Sequence, residues 1–187
     1  MKIVKLIALF ALFGFAANAQ DIKYPALDAS PADIAYFPGK AVMVKKGEKS
    51  NPLIKVIYSR PSVKGREIFG ALEPFREVWR LGANENTEIK FYRTVTVGKI
   101  VIPRGTYSLF AIPDKNKWVI IFNKQTDRWG AYTYDATFDV ARVEVPVKPL
   151  DNPVEALSIV FTELPTGAQM NIAWDKTSVA VPFTINK

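Results

Sequence analysis

Cysteine and histidine are both absent from the 187-residue chain. Without cysteine the chain has no disulfide framework, no zinc-thiolate site, no thiol nucleophile and no cysteine for a lipid anchor. Without histidine it has neither a Ser-His-Asp nor a Cys-His catalytic arrangement, and it lacks the usual zinc and copper ligands. These absences predict a protein with no metal site and no cofactor, in which any catalysis would fall to carboxylates or lysine.

The first nineteen residues have the parts of a secretory signal in the right order. Lys2 and Lys5 precede an apolar run over residues 6–15, and residues 17–19 (Ala-Asn-Ala) form a cleavage site of small residues. The apolar run is shorter than the roughly 20 residues that span a bilayer. We therefore expect a signal peptide over residues 1–19, no transmembrane segment after its removal, and a periplasmic or secreted protein.

The rest of the chain has the pattern of a β protein. An extended N-terminal arm is expected over residues 20–40, and short alternating runs rich in β-branched and aromatic residues follow it. Turn sequences built on proline or glycine separate several of these runs. The pattern predicts a single domain over residues 41–187, a mostly β, antiparallel β-sandwich that is jelly-roll-like. The predicted strands are 41–45, 53–58, 87–92, 94–97, 99–102, 106–112, 118–122, 130–134, 140–147, 156–163, 168–174 and 177–185.

Residues 59–85 break this strand rhythm. Their apolar side chains recur at helical spacing, but Gly70 and Pro74 interrupt them, so at most a short helical turn is expected. Loops of this length are usually functional or disordered, and this one is too apolar to be disordered. We therefore predict one long structured loop that packs across an end or face of the sandwich and carries the function.

The positive charge is concentrated in one segment. Removal of the signal lowers the formal net charge from +7 to +5, yet residues 40–66 alone carry an excess of +7. An exported protein without a nucleic-acid-binding motif is not expected to bind nucleic acid, whereas anionic lipid head groups and polysaccharide or lipopolysaccharide phosphates are possible partners. For Lys45, Lys46 and Lys49 the favoured interpretation is a hairpin that protects an edge strand.

Three further cations lie in the long loop. Pro61 holds the chain extended after Arg60, and Gly65 permits a bend between Lys64 and Arg66. The three side chains could converge on a carboxylate or phosphate. The alternative is that Arg60 and Arg66 pin the loop by bonding backbone carbonyls or nearby glutamates.

Residues 80–87 (Arg-Leu-Gly-Ala-Asn-Glu-Asn-Thr), which follow Trp79, form the string richest in chemical groups. Amides and a carboxylate beside an indole suit the hydroxyls and apolar face of a sugar, whereas one carboxylate is too few for a calcium loop. The alternative is an Asx-type turn in which Asn84 and Asn86 cap the start of a strand. Farther along, Trp129, Tyr132 and Tyr134 follow a polar turn and could line a cleft.

Several strings together closely resemble an exported Gram-negative bacterial family, domain of unknown function 2911. They are residues 58–66 (Tyr-Ser-Arg-Pro-Ser-Val-Lys-Gly-Arg), 77–87, 105–110 (Gly-Thr-Tyr-Ser-Leu-Phe), 122–124 and 129–132. The resemblance covers about residues 52–185. It implies a compact, mostly β domain and brings no activity, cofactor or catalytic residue with it.

Enzyme motifs give little support for catalysis. The sequence has no nucleophile elbow, P-loop or dinucleotide-binding glycine pattern, and a Ser62–Lys64 dyad would require a buried lysine. We predict a binding module for a polar, anionic or glycan-like ligand. The alternatives are a carboxylate-dependent hydrolase that uses Glu85 on envelope or extracellular glycans, and a structural envelope protein without a ligand. The predicted ligand-binding residues are Arg60, Lys64, Arg66, Trp79, Arg80, Asn84, Glu85, Asn86 and Trp129.

Overall fold

The fold is a sandwich of two antiparallel sheets, as predicted. The structure, a computed structural model, describes residues 21–185, so the predicted signal peptide lies outside the described residues. The strands are β1 (Ala32–Phe37), β2 (Ile54–Ser59), β3 (Thr87–Phe91), β4 (Val95–Val97), β5 (Ile100–Ile102), β6 (Gly105–Ile112), β7 (Lys117–Asn123), β8 (Asp139–Pro146), β9 (Lys148–Leu164) and β10 (Gly167–Ile185). The only helical element among residues 21–185 is a short 3-10 turn, Ala136–Phe138, and none of the described helices is long and apolar enough to cross a membrane.

Six strands form the larger sheet, in the order β1-β2-β3-β6-β7-β8, and four form the smaller, in the order β5-β4-β10-β9. Alternation explains how the larger sheet buries one face: in β3, Ile89 and Phe91 are buried, while Glu88 and Lys90 point outward. Phe91 meets Phe183 of the smaller sheet with ring centroids 5.5 Å apart. The core therefore lies between the sheets, and the outer face of the larger sheet is left for polar side chains.

Two predicted strands are wrong. Residues 41–45 lie between two turns, closed by Ala41 N–H to Pro38 O (2.9 Å) and Glu48 N–H to Lys45 O (3.0 Å). Residues 130–134 form a turn as well, because Gly130 takes a φ of +65° that ends any extended run. Conversely, the predicted arm over 20–40 contains strand β1, which pairs with β2 from Ala32↔Ser59 to Phe37↔Ile54.

The long loop, residues 60–86, is ordered by contacts with both sheets. Ser62 forms an antiparallel bridge with Ala156 of β9, and Trp79 forms one with Ala111 of β6. Phe69, Trp79, Trp118 and Trp174 cluster with ring centroids 4.8 to 6.0 Å apart. Gly82 passes close to β2: a Cβ atom there would lie 3.1 Å from Ser59 O. The loop thus completes the core at one end of the sandwich.

Candidate functional site

The structure divides the predicted ligand-binding residues among separate places. Trp79 is 3% exposed, and its indole N–H donates to Gly82 O (3.1 Å), so its ring is a core residue that offers no face to a ligand. Arg80 is half-buried, and its Nε finds no hydrogen-bond partner among the described residues. Both residues belong to the structured interior of the loop.

Arg60 fastens the two sheets together at one edge. Its guanidinium donates to Asp33 Oδ2 of β1 (2.9 Å) and to Leu157 O (3.0 Å) and Ser158 Oγ (2.9 Å) of β9. Asp33, Arg60 and Ser158 line an open cavity of about 360 Å³ between β1 and β9. Because three donors of the Arg60 guanidinium bind other residues of the protein, its main role is to hold β1 and β9 together at the edge of the sandwich.

Arg66 likewise bonds its own loop, through Nε to Val63 O (3.0 Å) and Nη2 to Ser62 O (2.5 Å). Lys64 is exposed in a left-handed turn (φ +48°), and its backbone N–H donates to Glu155 Oε1. Arg60 and Arg66 therefore follow the alternative interpretation, in which they pin the loop through backbone carbonyls.

Trp129, in contrast, lies opposite residues 84–86 (Asn-Glu-Asn) in a short antiparallel pairing of backbone segments. Glu85 and Trp129 form an antiparallel bridge, flanked by Asn86 N–H to Arg128 O (2.9 Å) and Gly130 N–H to Asn84 O (2.9 Å). This bonding pattern makes Glu85 and Trp129 a non-hydrogen-bonded pair, in which the Cα atoms lie about 4.5 Å apart and the side chains point to the same face. Glu85 is exposed, and the Trp129 side chain is 61% exposed.

A groove on the outer face of the larger sheet begins beside this pair. One cavity of about 290 Å³ is lined by Ile57, Glu85, Asn86, Glu88 and Asp127. A second, of about 120 Å³, is lined by Lys55, Ile57, Glu88, Lys90 and Thr106. Because the two cavities share Ile57 and Glu88, they form one continuous depression across β2, β3 and β6, which we call the outer groove.

The two halves of the outer groove differ in charge. The half near Trp129 presents the carboxylates of Glu85, Glu88 and Asp127, whereas the other half presents Lys55 and Lys90. The partly exposed side chain of Ile57 (39%) gives the floor an apolar patch. The groove therefore offers hydrogen-bond acceptors at one end, donors at the other, and a small apolar surface between them.

Residues 124–138, which we call the aromatic loop, carry Trp129 and the exposed Tyr132 (83%). At its start, Asp127 N–H donates to Glu88 Oε1 (2.8 Å) and Arg128 N–H donates to Asn86 Oδ1 (2.8 Å). Asn86 Nδ2 in turn donates to Ser108 Oγ (2.5 Å), whose hydroxyl donates to Gln125 O. The buried Asn86 is thus a positioning residue, since both ends of its amide hold the loop on the sheet.

The end of the aromatic loop is held by a second polar cluster. Tyr134 Oη donates to Asp139 Oδ2 (2.6 Å), and Arg142 donates to both groups. The Tyr134 ring packs edge-on against Phe110, with centroids 5.0 Å apart. Burial and the hydrogen bond to Asp139 raise the pKa of Tyr134 to about 12, so the phenol stays neutral and keeps donating.

Asn84 ties down a different segment. Its Nδ2 donates to Asp28 Oδ1 (3.0 Å). The hydrogen bond from Ser30 N–H, together with this one, lowers the pKa of Asp28. Asn84 has a φ of +59°, a conformation that asparagine tolerates better than most residues. Its role is to fix the chain before β1 rather than to cap the start of β3.

A second ionisable cluster lies inside the long loop. Burial raises the pKa of Glu73 to about 7, and the positive charges of Arg80 and Arg66 only partly offset that effect. Among residues 21–185 no group of three or more acidic side chains is placed to hold a metal ion. The positive charge of Arg80 acts on the carboxyl group of Glu73. Neither residue lines the outer groove.

Sequence reasoning missed Ile57, Glu88 and Asp127 as groove residues. The alternation of β2 and β3 puts Ile57 and Glu88 on the outer face, but only the register Ile57↔Glu88 shows that they are neighbours. Asp127 comes from a loop whose return to β3 the sequence does not reveal. The aromatic residues expected to line a cleft, Trp129, Tyr132 and Tyr134, line neither part of the outer groove.

Comparison with known proteins gives one match. A family model described as "Protein of unknown function (DUF2911)" matches residues 39–183. No curated protein and no solved structure matches the chain. The description of this family names no activity or ligand.

Proposed function

The chain belongs to the DUF2911 family of proteins of unknown function, and from the geometry of the outer groove we propose that it binds a glycan-like ligand. The pairing of Glu85 with Trp129 is the observation that carries this proposal. An exposed indole offers a flat apolar face to the C–H side of a sugar ring. A carboxylate directly beside it accepts hydrogen bonds from the ring hydroxyls.

The rest of the groove supports a ligand of more than one sugar unit. Glu88 and Asp127 add acceptors next to Glu85, while Lys55, Lys90 and Thr106 supply donors farther along. Three carboxylates around one cavity repel an anion. The proposed ligand is therefore a neutral or amino-bearing glycan whose hydroxyls or amines meet the acidic half. The anionic ligand predicted from the loop cations has less support, because Arg60 and Arg66 are engaged with the protein.

A glycan array that contains neutral, amino-bearing and acidic sugars tests this proposal. The affinity for each hit is then measured by calorimetry. We expect binding to a neutral or amino-bearing glycan, reduced at least tenfold by Trp129→Ala and by Glu85→Gln. Glu77→Gln is the matched control, since Glu77 is an exposed loop glutamate that lines neither part of the groove. The absence of any hit, or a hit that both groove variants retain, would overturn the proposal.

The shared cavity of Glu85, Glu88 and Asp127 favours a second candidate, a glycan hydrolase that uses two of these carboxylates. Incubation of each bound glycan with the protein, followed by mass spectrometry of the products, separates the two functions. A hydrolase yields products that Glu85→Gln abolishes even at saturating glycan. A binding module leaves the glycan intact.

We also propose that the protein acts outside the cytoplasm, because residues 1–19 have the order of a secretory signal. The intact mass of the protein recovered from a periplasmic fraction tests this. The expected mass is that of a chain beginning at Gln20, and a full-length mass in the cytoplasmic fraction would contradict the proposal. A structural envelope role without a ligand is the outcome if export is confirmed and no glycan binds.

A further inference from the structure

The connection between β1 and β2, residues 38–53, combines basic side chains with exposed apolar ones. It carries Lys40, Lys45, Lys46 and Lys49, none of which forms an ion pair within the described part of the chain. Between these lysines lie three exposed apolar side chains, Val42 (38%), Met43 (75%) and Val44 (40%). We call this connection the lysine loop.

The lysine loop has a defined shape. Turns are closed by Met43 N–H to Lys40 O (3.0 Å) and Glu48 N–H to Lys45 O (3.0 Å), and Asn51 N–H to Ala41 O (3.1 Å) joins the two arms. Glu48, its only acid, accepts a bond from Lys45 N–H through Oε2 (2.9 Å). Its carboxylate is therefore occupied within the loop, while the lysine ammonium groups project into solvent.

The favoured interpretation from sequence, lysines that protect an edge strand, does not account for the exposed apolar side chains of the loop. Residues 41–45 form no strand themselves, and the lysines follow the end of β1, the edge strand of the larger sheet, instead of lying along it. Protection would also not explain why Met43, the most exposed of the three apolar side chains, lies between lysines rather than packing on the sheet.

Other basic residues lie at the same end of the sandwich. Arg93 lies with Phe37, Pro38 and Leu53 around a cavity at the base of the lysine loop. Arg104 precedes Gly105, which pairs with Phe91 at that end of β3. Glu163 is the acidic residue of the same cavity, so this end of the molecule carries a positive surface with an apolar tip.

We propose that this end of the protein docks on a phospholipid bilayer that contains anionic lipids. Basic side chains next to a membrane are attracted to anionic head groups, and exposed apolar side chains enter the boundary between head groups and acyl chains. Each feature alone binds weakly, but the two together give stable, reversible attachment. The outer groove opens on the face of the larger sheet, so docking through the lysine loop leaves it free.

A single labelled cysteine gives a direct test, because the native chain has no cysteine. Met43→Cys is labelled with an environment-sensitive fluorophore and titrated with vesicles of phosphatidylcholine, either pure or containing phosphatidylglycerol. We expect a blue shift and brightening only with the anionic vesicles, and loss of both at about 0.5 M salt, where charges are strongly screened. Asn116→Cys, in the exposed β6–β7 turn at the opposite end of the sandwich, is the matched control and should not respond.

Vesicle co-sedimentation of unlabelled variants separates the two features. The triple change Lys45→Glu, Lys46→Glu and Lys49→Glu should lower the partition coefficient by about fivefold or more for each lysine replaced. Met43→Ser should also lower it, although it leaves the charge of the loop unchanged. A cooperative thermal unfolding transition is the check that each of these exposed-loop variants is folded. Equal response with pure phosphatidylcholine, equal response at Asn116→Cys, or binding to soluble lipopolysaccharide or dextran sulfate but not to anionic vesicles would overturn the proposal.

Discussion

Glu85 and Trp129 face each other as an isolated antiparallel pair without hydrogen bonds between their own backbone groups. The bonds on either side of the pair, from Asn86 to Arg128 and from Gly130 to Asn84, set its register. A loop residue 44 positions farther along the chain is thereby fixed beside the entrance to β3. The pair makes the indole a preorganised surface, and preorganisation lowers the entropic cost of binding a ligand.

Trp129 should account for the solvent-accessible tryptophan fluorescence of this protein. The other three tryptophans, Trp79, Trp118 and Trp174, are at most 3% exposed. We expect iodide to quench one class of tryptophan, Trp129→Phe to abolish that quenching, and a bound glycan to protect against it. Quenching that persists in Trp129→Phe would show that one of the buried indoles is reached by solvent.

Asn86 should matter for both stability and binding. Asn86→Ala removes the bonds to Ser108 Oγ and from Arg128 N–H, and the loss of two such bonds at a buried site costs about 2 kcal/mol of unfolding free energy. The aromatic loop should also become more sensitive to limited proteolysis. Asn84→Gly is the matched control: it removes only an exposed amide contact and retains the left-handed backbone, so its cost should stay within about 0.5 kcal/mol. Equal costs for the two variants would contradict a positioning role for Asn86.

The sandwich could be predicted because its signals are local. Alternation in β3 and the turn residues between strands depend on neighbouring positions alone, and these strands appear where expected. Residues 41–45 are also rich in β-branched and apolar residues, yet they form no strand, because no neighbouring strand takes up their hydrogen bonds and their apolar side chains find no core. Strand β1 was missed for the opposite reason: small residues hide its pattern, and pairing with β2 decides it.

The candidate site could be predicted only in part. Glu85 and Trp129 are both predicted as ligand-binding residues from the sequence, but their pairing depends on a loop that returns over the sheet. Trp79 is a residue for which the expectation of ligand binding is wrong. Its polar neighbours suggested a ligand, whereas the cluster with Trp118 and Trp174 places it in the core. Local chemistry cannot show which face of a loop is covered.

Arg60→Ala should destabilise the protein without affecting glycan binding. The change removes the bonds to Asp33, Leu157 and Ser158 across the sheet edge, and we expect a cost of about 1 to 2 kcal/mol for this partly exposed network. Arg60→Lys should recover little of the loss, because an ammonium cannot reproduce the planar fork. Urea unfolding and calorimetry check the two expectations. Lost glycan binding at unchanged stability would instead make Arg60 a ligand-binding residue.

Glu73 should make the stability of the protein depend on pH. Its pKa is about 7 in the folded protein against an ordinary value of 4.5. As the pH rises, the Glu73 carboxyl of the unfolded chain therefore loses its proton before that of the folded protein. The stabilisation from the protonated carboxyl is complete below pH 4.5 and is lost as pH rises through about 7. Relative to Glu73→Gln, the unfolding free energy of the native chain should fall by about 2 kcal/mol over that range, after allowance for partial solvent exposure.

Urea unfolding at several pH values measures this difference. The control is Glu67→Gln, since Glu67 is an exposed glutamate of the same loop, and its stability should follow that of the native chain. Parallel curves for the native chain and Glu73→Gln would show that Glu73 titrates normally.

Gly130 should be coupled to Tyr132 through direct contact. Gly130 has a φ of +65°, and a Cβ atom there would lie 2.8 Å from Tyr132 Cε2. Gly130→Ala therefore brings two costs: about 1 kcal/mol for the left-handed backbone, and displacement of the tyrosine ring. Because Tyr132 is exposed, the ring can move away, so the second cost should be small in stability. We expect a larger effect on glycan affinity, because Gly130 directly follows Trp129 in the same exposed loop.

A double-mutant cycle separates the two costs. In the Tyr132→Ala background the ring is gone, so Gly130→Ala should retain its backbone penalty and lose its effect on glycan binding. Gly130→Asn is the matched substitution, because asparagine tolerates the left-handed conformation but still brings a Cβ atom against the ring. It should therefore weaken binding with less loss of stability than Gly130→Ala. An effect of Gly130→Ala on affinity that is the same with and without Tyr132 would show that the ring does not contribute to the groove.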